Sequence, residues 1–372
     1  MALIVRHWPT LHGLVVLSGL AVYVIASHTL HQRRHPSAAI AWVVALVLLP
    51  YLALPLYLIF GNRKVVHVRA RAGRHDQQTA GLDSTLLSAR TRQLAAAMAL
   101  PAASPYSHLN IHEDGRQALC VLTSMIDGAT RTLDVCTFVF GRDALGNEIA
   151  RKLIEKAGDG VRVRLLVDGV GAFLGGRPDF KGLVAAGVEV AFFVPPLRSP
   201  LQGRINLRNH RKMLLKDREC LWCGGRNLAS EYFTGDATQD HAKVPWIDLS
   251  FDLQGELAVQ AQQQFDSDWA FARTATRPVM PPQPERDRLS DVALGQLIAS
   301  GPDQVDDTLY ALLISAFFGS RKRIIAVTPY FVPDPMLLMS LTLAARRGVV
   351  IDLLLPERSN HRLADLARHR AL

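Results

Sequence analysis

The residues best suited to chemistry in this chain are a histidine and a lysine two positions apart, followed by glycines and an asparagine. On a β-strand, His210 and Lys212 would share one face, where both side chains can meet one ligand. Gly224 and Gly225 would let a ligand approach the backbone, and Asn227 adds an amide donor. An imidazole can attack phosphorus or move a proton, while an ammonium and an amide neutralise charge on oxygen. These residues predict a phosphate site at a strand end.

A β-hairpin is needed to bring these residues together. The first strand continues through Leu215, a turn covers Lys216 to Glu219, and the partner strand is Cys220 to Cys223. The two cysteines form an isolated C-x-x-C without the second pair or ordered histidines of a zinc site, so we interpret them as strand residues. No set of metal ligands stands out in the sequence, and neither a metal nor a cofactor is expected.

Alternating helical and strand patterns surround this hairpin. Apolar residues at helical spacing alternate with the continuous apolar runs that are typical of buried strands. The predicted elements are a helix at Ala118–Ile126, a strand at Leu133–Phe140, a helix at Ile149–Ala157, and strands at Val161–Val167 and Val188–Val194. This order predicts an α/β fold with a largely parallel sheet covered by helices.

The same order of elements returns after a proline-rich stretch at Arg277–Pro284. The later elements are predicted at Thr308–Phe318 (helix), Arg323–Tyr330 (strand), Met336–Arg346 (helix) and Val350–Leu355 (strand). The tripeptides Arg131-Thr132-Leu133 and Arg323-Ile324-Ile325 both begin with arginine, at an offset of 192 residues, and the Gly-Val pairs at Gly160 and Gly348 match at 188. The similar offsets suggest an internal duplication, and ordinary recurrence within an α/β fold is the alternative.

The positive charge of the chain is concentrated in its first 75 residues. The whole chain has 42 Lys and Arg against 33 Asp and Glu, a net charge of +9. Eight of the basic residues and none of the acidic residues precede position 76, which leaves 34 against 33 in the remainder. A nearly neutral globular part argues against the broad basic surface of a nucleic-acid-binding protein. We therefore interpret the excess charge as a membrane signal and expect no nucleic-acid partner.

Two uncharged apolar stretches in this basic region predict a transmembrane helical hairpin. Leu11–Leu30 and Ala38–Phe60 are each long enough to cross a bilayer, and a link with Arg33 and Arg34 joins them. The positive-inside rule places the N-terminus and the large C-terminal portion in the cytoplasm, although the two arginines in the link oppose this orientation. A signal peptide over the first stretch is the alternative. The basic residues that follow the hairpin, which suit an anionic leaflet, are Arg63, Lys64, Arg69, Arg71 and Arg74.

The spacing of the chemical residues resembles the signature of the phospholipase D superfamily. The pattern is His210-x-Lys212-x-x-x-x-Asp217, then six residues, then Gly224-Gly225-x-Asn227. Further stretches resemble bacterial cardiolipin synthases, namely Ala39-Ile40-Ala41-Trp42, Leu56-Tyr57-Leu58, Phe60-Gly61, Arg63-Lys64, Trp246-x-Asp248, Asp268-Trp269 and Thr328-Pro329-Tyr330-Phe331-Val332-Pro333. The resemblance covers nearly the whole chain. It implies a membrane hairpin followed by phospholipase-D-type α/β/α sandwich repeats.

The resemblance also implies a role for each residue of the motif. One histidine attacks a phosphodiester and forms a phosphohistidine, and a histidine from a second motif protonates the leaving alcohol. His210 would be the nucleophile, and Asp248 would accept a hydrogen bond from it and orient it; the alternative for Asp248 is an ordinary carboxylate at a strand end. Asp217 completes the catalytic motif, and we expect it to brace the turn or a domain contact. The residues implied to bind the phosphate are Lys212, Gly224, Gly225 and Asn227.

These observations divide the sequence into five segments. They are a membrane hairpin with its basic flank at 1–75, a connecting segment at 76–104, a first phospholipase-D-like domain at 105–275, a proline-rich linker at 276–294 and an incomplete second domain at 295–372. The second domain is expected to stop before its own catalytic hairpin. At an offset of 188, a second motif would fall near residue 398, whereas the sequence ends at Leu372.

The missing second motif leaves three interpretations open. His361 and His369 near the end do not begin a His-x-Lys pattern, and we interpret them as surface residues of a helix. The chain is a fragment or an early stop, or a dimer that pairs two copies of His210, or a membrane-bound pseudoenzyme. We favour the first, because residues 295–372 should occupy the face where a second copy would dock. This form is then expected to be inactive or dependent on a partner.

The resemblance implies a phosphatidyltransferase that joins two phosphatidylglycerol molecules into cardiolipin and releases glycerol. The alternatives are a phospholipase D that uses water as the acceptor, a nuclease, and a non-catalytic membrane protein that binds anionic lipid. The hairpin and the neutral charge of residues 76–372 argue against the nuclease. We expect a multi-pass protein of the bacterial inner membrane with a cytoplasmic catalytic portion, and its oligomeric state stays open.

Overall fold

The structure is a computed structural model that describes residues 2–29, 36–61, 87–98, 100–195, 207–235, 244–274, 293–301, 307–357, 359, 365, 366 and 368. The chain forms two compact units. The first comprises residues 1–71 and 103–305, and the second comprises residues 72–102 and 306–372. The predicted linker at 277–284, His361 and His369 lie outside the described residues.

Helices and strands alternate through most of the described chain. The helices are α1 (Ala2–Thr29), α2 (Pro36–Leu48), α3 (Pro50–Phe60), α4 (Leu87–Ala97), α5 (Gly115–Asp127), α6 (Ala144–Gly158), α7 (Gly169–Leu174), α8 (Phe180–Ala185), α9 (Glu256–Thr274), α10 (Thr308–Gly319) and α11 (Pro335–Arg346). The strands are β1 (Ser104–Pro105), β2 (Ser107–Ile111), β3 (Thr132–Thr137), β4 (Arg162–Asp168), β5 (Glu189–Phe193), β6 (Met213–Lys216), β7 (Cys220–Gly224), β8 (Ser250–Gln254), β9 (Leu294–Gly295), β10 (Arg323–Val327) and β11 (Val350–Leu354).

Among the described residues, one helix of the apolar N-terminal region is long enough to cross a membrane. Thr10–Ser27 within α1 has a mean hydropathy of 1.8. The predicted apolar span Ala38–Phe60 is not one continuous helix, because the chain breaks at Leu49 and forms the shorter helices α2 and α3. Pro50 explains the break, since a proline has no N–H to donate and disfavours helical backbone in the residue before it.

Aromatic contacts support the predicted packing of the N-terminal helices against each other. Helix α1 contacts both α2 and α3. The rings of Tyr23 and Tyr57 lie 5.4 Å apart, and Trp42 meets Tyr57 edge-on at 5.2 Å. The predicted link with Arg33 and Arg34, like the basic flank after the hairpin, lies outside the described residues.

A seven-stranded mixed sheet forms the centre of the first unit, in the order β2-β8-β7-β6-β3-β4-β5. Strands β3, β4 and β5 are parallel, whereas β6, β7, β8 and β2 each pair antiparallel with their neighbours. The prediction of a largely parallel sheet is therefore wrong for half of it. A tight turn joins β6 to β7, and such a turn can only connect antiparallel strands.

Helices cover both faces of this sheet, as the α/β/α prediction requires. On one face, α5 and α6 bury Ile126 and Ile149 against Leu133 of β3. On the other face, α9 buries Phe265 in a core with Leu215 of β6. Alternate residues of each strand therefore enter different cores, which is the two-residue period of a strand buried on both sides.

The second unit repeats the element order of the first half of the sheet. Strands β10 and β11 pair in parallel, and α10 contacts both α4 and α11. Gly160 and Gly348 stand before β4 and β11, and both have a φ of 84°. This left-handed conformation favours glycine, so the matching Gly-Val pairs occupy matching turns. The predicted duplication is supported by this shared local structure.

Backbone hydrogen bonds shift the first sequence match by one residue. Arg162 N donates to Arg131 O, and Val350 N donates to Lys322 O. Lys322 therefore takes the place of Arg131 in the second unit, although the sequence comparison paired Arg131 with Arg323. Strand pairing fixes this register, because a slip by one residue would exchange the two faces of the strand.

Candidate active site

His210 and Lys212 lie in the irregular segment that leads into β6. Their predicted placement on one strand is wrong, since β6 begins at Met213. The two side chains nevertheless meet: Lys212 Nζ lies 3.1 Å from His210 Nδ1 and donates to His210 O at 2.6 Å. His210 keeps an exposed edge although Phe138 covers one face of its ring, whereas Lys212 is buried. The imidazole is thus open to a ligand with an ammonium directly beside it.

Two buried carboxylates hold the segment before β6. Asp168, at the C-terminal end of β4, accepts from Asn209 N at 2.9 Å and from Arg208 Nη1 at 3.2 Å. Asp268 of α9 accepts from Asn209 Nδ2 at 3.1 Å and from Arg211 Nη1 at 2.8 Å. Burial raises the pKa of Asp168, although Arg208 and the backbone N–H of Asn209 oppose this shift. The histidine of the motif is therefore held between anchored neighbours.

Phe138 supports the imidazole from the loop after β3. Its ring centroid lies 4.0 Å from that of His210, and Lys212 Nζ lies 5.8 Å from the same ring. The carbonyl of Phe138 in turn approaches Gly171 so closely that a Cβ there would lie 1.7 Å from it. The loop therefore packs tightly against α7, and Phe138 forms a fixed surface on which the ring of His210 packs.

Asn227 presents its amide nitrogen at this site. Its Oδ1 accepts from Val139 N at 3.0 Å, which fixes which end of the amide is oxygen. The side chain is buried, and no described residue accepts a hydrogen bond from Nδ2. A backbone bridge between Phe140 and Leu228 holds the two loops together beside it. Asn227 thus has a donor that no described residue uses, and its contact with a ligand oxygen stays a prediction.

Gly224 and Gly225 make room for the protein itself. A Cβ at Gly224 would lie 2.4 Å from Leu249 O, and one at Gly225 would lie 2.2 Å from Asp248 Oδ1. The chain before β8 crosses directly over these glycines, so close packing within the protein accounts for their missing side chains; phosphate binding at these glycines stays a prediction. Their absent side chains allow Asp248 to come close to the site.

Asp248 lies beside the site without bonding to the histidine. Its Oδ1 accepts from Leu249 N at 2.7 Å, and no hydrogen bond between the described residues joins it to His210. Burial lowers the pKa of Lys212. The charges of Cys136 and, to a smaller extent, Asp248 raise it and offset part of this shift. The orientation of His210 by Asp248 stays a prediction.

Asp217 braces the β6–β7 turn. It adopts a φ of 53°, and its carboxylate accepts from the backbone N–H groups of Thr130, Arg131 and Thr132 at 2.7–3.2 Å. Burial alone would raise the pKa of Asp217, but these hydrogen bonds hold it below its ordinary value. The four residues of β6, roughly 13 Å at 3.3 Å per residue, separate this turn from Lys212. The structure therefore supports bracing and places Asp217 away from the reacting groups.

The electrostatics of the site favour a neutral nucleophile. Partial burial, aided by repulsion from Lys212, lowers the pKa of His210 to about 4. The imidazole is therefore uncharged at pH 7 and keeps a lone pair that can attack phosphorus. A charged Lys212 can only donate, so its contact makes Nδ1 the acceptor and leaves the imidazole proton on Nε2.

The cysteines of the C-x-x-C motif are strand residues, as predicted. Cys220 packs against the core beneath α5 and α6, and Cys223 packs against the core beneath α9. Both are free thiols on opposite faces of β7, which their odd spacing on a strand requires. In the part of the chain that the structure describes, no three His, Cys, Asp or Glu side chains group as metal ligands.

Sequence reasoning missed the residues that position the motif. Phe138 carried no signal, because it lay within the predicted strand Leu133–Phe140, where an aromatic residue is most often part of a core. Asp168 was visible as an acidic residue at a strand end, and the carboxyl ends of parallel strands are where sites form in α/β sheets. Its partner Asp268, on a helix 100 residues later, becomes a neighbour only through the packing of α9 on the sheet.

Comparison with known families gives two matches. Residues 122–269 match the family described as "Cardiolipin synthase, PLD-like domain", and residues 16–62 match "Phospholipase_D-nuclease N-terminal". Of the solved structures, phosphatidylserine synthase from Haemophilus influenzae Rd KW20 aligns with a TM-score of 0.50 at 12% identity, over 74% of this chain and 70% of that chain. That likeness shows a shared fold.

Curated relatives extend the match to almost the whole chain. Cardiolipin synthase A of Pseudomonas aeruginosa (strain LESB58) is 30% identical over 376 residues, which cover 94% of this chain and 73% of the relative. Cardiolipin synthase A of Pseudomonas putida (strain W619) is 29% identical, with 94% and 74% covered. The predicted resemblance is confirmed. The chain belongs to the cardiolipin synthase family, and it is a phosphatidyltransferase of the phospholipase D superfamily.

Proposed function

We propose that this phosphatidyltransferase moves a phosphatidyl group from one phosphatidylglycerol to another, which yields cardiolipin and glycerol. The observation that supports it best is the convergence of an exposed neutral imidazole, an ammonium 3.1 Å away and a free amide donor, supplied by His210, Lys212 and Asn227. Two relatives that are named cardiolipin synthase A support the choice of lipid.

The first half of the proposed reaction forms a phosphohistidine. The imidazole of His210 attacks phosphorus, the bond from phosphorus to the glycerol oxygen breaks, and that oxygen takes a proton from a general acid. The family resemblance assigns the general acid to a second histidine. Lys212 and Asn227 donate to the phosphate oxygens, whose charge builds in the transition state.

Substrate binding would also prepare the nucleophile. In the free protein, Lys212 Nζ lies 3.1 Å from His210 Nδ1. A bound phosphate would attract Lys212 Nζ and draw it away from His210. Nδ1 can then carry the imidazole proton and donate it to Asp248, which leaves the lone pair on Nε2 for attack. In the second half, the hydroxyl of another phosphatidylglycerol attacks phosphorus and gives its proton to the second histidine, which lost one in the first half; the bond from phosphorus to Nε2 breaks and releases His210.

The products of the purified full chain in phosphatidylglycerol vesicles test this function. With a cardiolipin synthase A partner that supplies the second histidine but lacks its own first one, cardiolipin and glycerol in equal amounts are expected, and His210→Ala should abolish both; the chain alone is expected to form neither. Phosphatidic acid in place of cardiolipin would mean that water is the acceptor and would overturn the proposal. A matched control exists in the sequence, because His241-x-Lys243 repeats the His-x-Lys spacing outside the described residues. His241→Ala should keep the activity.

The same proposal places the protein in the bacterial inner membrane with its catalytic part in the cytoplasm. The apolar span Thr10–Ser27, the shorter apolar helices after it and the basic flank support a multi-pass anchor. Cys120 offers a native probe, because its thiol is exposed on α5. A membrane-impermeant maleimide should label Cys120 in inverted vesicles and leave it unlabelled in intact spheroplasts. Labelling in spheroplasts would contradict the orientation.

A further inference from the structure

An exposed apolar loop stands directly beside the candidate active site. In residues 244–249, which lead into β8, four side chains point into solvent. Val244 is 85% exposed, Trp246 41%, Ile247 101% and Leu249 57%. Apolar side chains grouped in this way on a soluble surface usually mark a binding surface.

The loop is held in a fixed shape while its apolar side chains face outward. Trp246 N donates to Glu231 O at 3.0 Å, and the ring of Trp246 stacks on Tyr232 at 6.4 Å. At the other end, Gly225 N donates to Leu249 O at 3.0 Å. The exposure is therefore built into the fold, and Ile247 lies at the tip between two anchored positions.

We propose that the 244–249 loop inserts into the lipid bilayer and delivers phosphatidylglycerol headgroups to His210, an inference that rests on the proposed function. Two observations choose a bilayer as the partner. The chain carries its own apolar span at Thr10–Ser27, so its catalytic part works close to a membrane. The loop also contains Asp248, whose carboxylate lies against Gly225, two residues before Asn227, so a lipid held by the loop would have its phosphate near the site.

The side chains suit the boundary between headgroups and acyl chains. Tryptophan is enriched at this boundary, and an aliphatic tip reaches about 5–10 Å into it. A substrate phosphodiester sits at the same depth as the headgroups, so a loop that dips there shortens its path to the histidine. A loop that bound a water-soluble phosphodiester would have no reason to expose Ile247 fully.

Labelling of the full chain in proteoliposomes tests the insertion. A Cys120→Ser parent removes the exposed thiol, and its residual labelling gives the background. Ile247→Cys and Val184→Cys then receive the same environment-sensitive fluorophore. Val184 is the matched control, because it is an aliphatic residue with 55% exposure on α8, at the opposite edge of the sheet. The vesicles contain phosphatidylglycerol and phosphatidylcholine, with and without bromine on the acyl chains.

The proposal predicts a blue shift and loss of emission in brominated vesicles for the label at 247, with neither change at 184. If iodide in the buffer quenches both labels equally and bromine quenches neither, the loop lies in water and the proposal is wrong. A label at 247 that is shielded from both quenchers would show a protein cover and would also overturn it. Because this readout needs no turnover, quenching combined with a failure to form cardiolipin when a partner supplies the second histidine would reject the proposed reaction and keep the loop assignment.

Discussion

The charge state of His210 is decided by its immediate neighbours. An imidazole that is partly buried, packed on Phe138 and placed beside Lys212 resists protonation, because the imidazolium would lose solvation and face a like charge. The Oδ1 atom of Asn227 similarly accepts a hydrogen bond from Val139 N, whereas its Nδ2 stays available as a donor. A few ångströms of geometry thus give a motif of ordinary residue types its reactive form.

Replacement of Lys212 should release part of this constraint on His210. We expect Lys212→Gln to raise the pKa of His210 above about 4, although burial keeps it below the ordinary value of 6.5. Because the unfolded histidine titrates at the ordinary value, the folded chain loses stability as pH falls from 6.5 to about 4, and the variant should lose less. An NMR titration of the histidines measures the shift. Lys216→Gln, at the far end of β6, should leave it unchanged.

Asn227→Asp tests the donor assigned to the substrate phosphate. The variant keeps an oxygen for the Val139 N–H but replaces the free amide nitrogen with a second, charged oxygen. We expect phosphatidyl transfer to fall by about 100-fold or more, since a donor becomes a repulsive charge. The rate of cardiolipin formation measures it. Asn147→Asp, on the exposed side of α6, is the matched control and should retain the rate; an equal rate in both variants would contradict the assignment.

At the scale of elements, carboxylates fix both ends of the β6–β7 hairpin. Those at the first end come from other parts of the chain, and the one at the second end belongs to the turn of the hairpin itself. Asp168 and Asp268 hold the segment before β6, while Asp217 ties the turn to the start of β3. The strand between them is only four residues long and buried on both faces, so it transmits little motion. The hairpin is thus a rigid carrier for the histidine.

Asp217→Asn separates bracing from catalysis. The neutral side chain keeps its shape but weakens the hydrogen bonds from Thr130, Arg131 and Thr132, so the free energy of unfolding should fall by about 1–3 kcal/mol. The folded pKa of Asp217 is lowered, so this difference is present above the ordinary value of 3.8 and disappears as pH falls through the folded value. Chemical denaturation at several pH values measures it. His210 should keep its pKa, and a loss of activity without a loss of stability would show a catalytic role instead.

The control for this variant is a carboxylate in a surface ion pair. Asp127 bonds to Lys152 at 2.7 Å, but its side chain is 55% exposed. Asp127→Asn should change the unfolding free energy by less than about 1 kcal/mol, as is usual for exposed pairs. A similar loss of unfolding free energy in both variants would mean that Asp217 stabilises the fold no more than a carboxylate in an exposed ion pair does.

At the scale of the whole molecule, one helix–strand–helix–strand pattern is built twice. Each copy uses a glycine in the left-handed region to leave its second helix and enter its second strand, at Gly160 and Gly348. The first copy continues into the hairpin that carries the motif, and α9 covers its sheet. The shared turn agrees with the predicted duplication, because the two copies use the same backbone conformation with different side chains.

Replacement of Gly160 or Gly348 by alanine should reveal how much free energy the left-handed conformation costs a residue with a side chain. A Cβ at Gly160 or Gly348 would meet no atom within 4 Å, so the loss of stability comes from the backbone alone. We expect each variant to lose about 1–2 kcal/mol. Gly158→Ala is the matched control, because Gly158 also has open space but lies within α6, where alanine should be neutral or stabilising. Thermal unfolding compares the three, and an equal response at 158 and 160 would contradict the explanation.

The sequence by itself determined the family, the motif and most element positions, because spacing and hydrophobic period are local properties. The His-x-Lys, Gly-Gly-x-Asn pattern identified the reacting groups without any structure, and the helices and strands of both repeats lie within a few residues of their predicted positions. The antiparallel pairings of β6 with β3 and of β8 with β7 and β2 were not predicted, and neither was the close approach of Asp248 to the glycines. Each depends on which chain segment comes to lie beside another.

Only the tertiary structure decided how the site is held. Asp168 and Asp268 are 100 residues apart, and they meet at Asn209 because α9 packs on the same sheet that β4 enters. The low pKa of His210 likewise needs Phe138 and Lys212 to enclose it from two segments. Burial and hydrogen bonding arise between residues that are distant in sequence, so spacing could identify the nucleophile but not its surroundings.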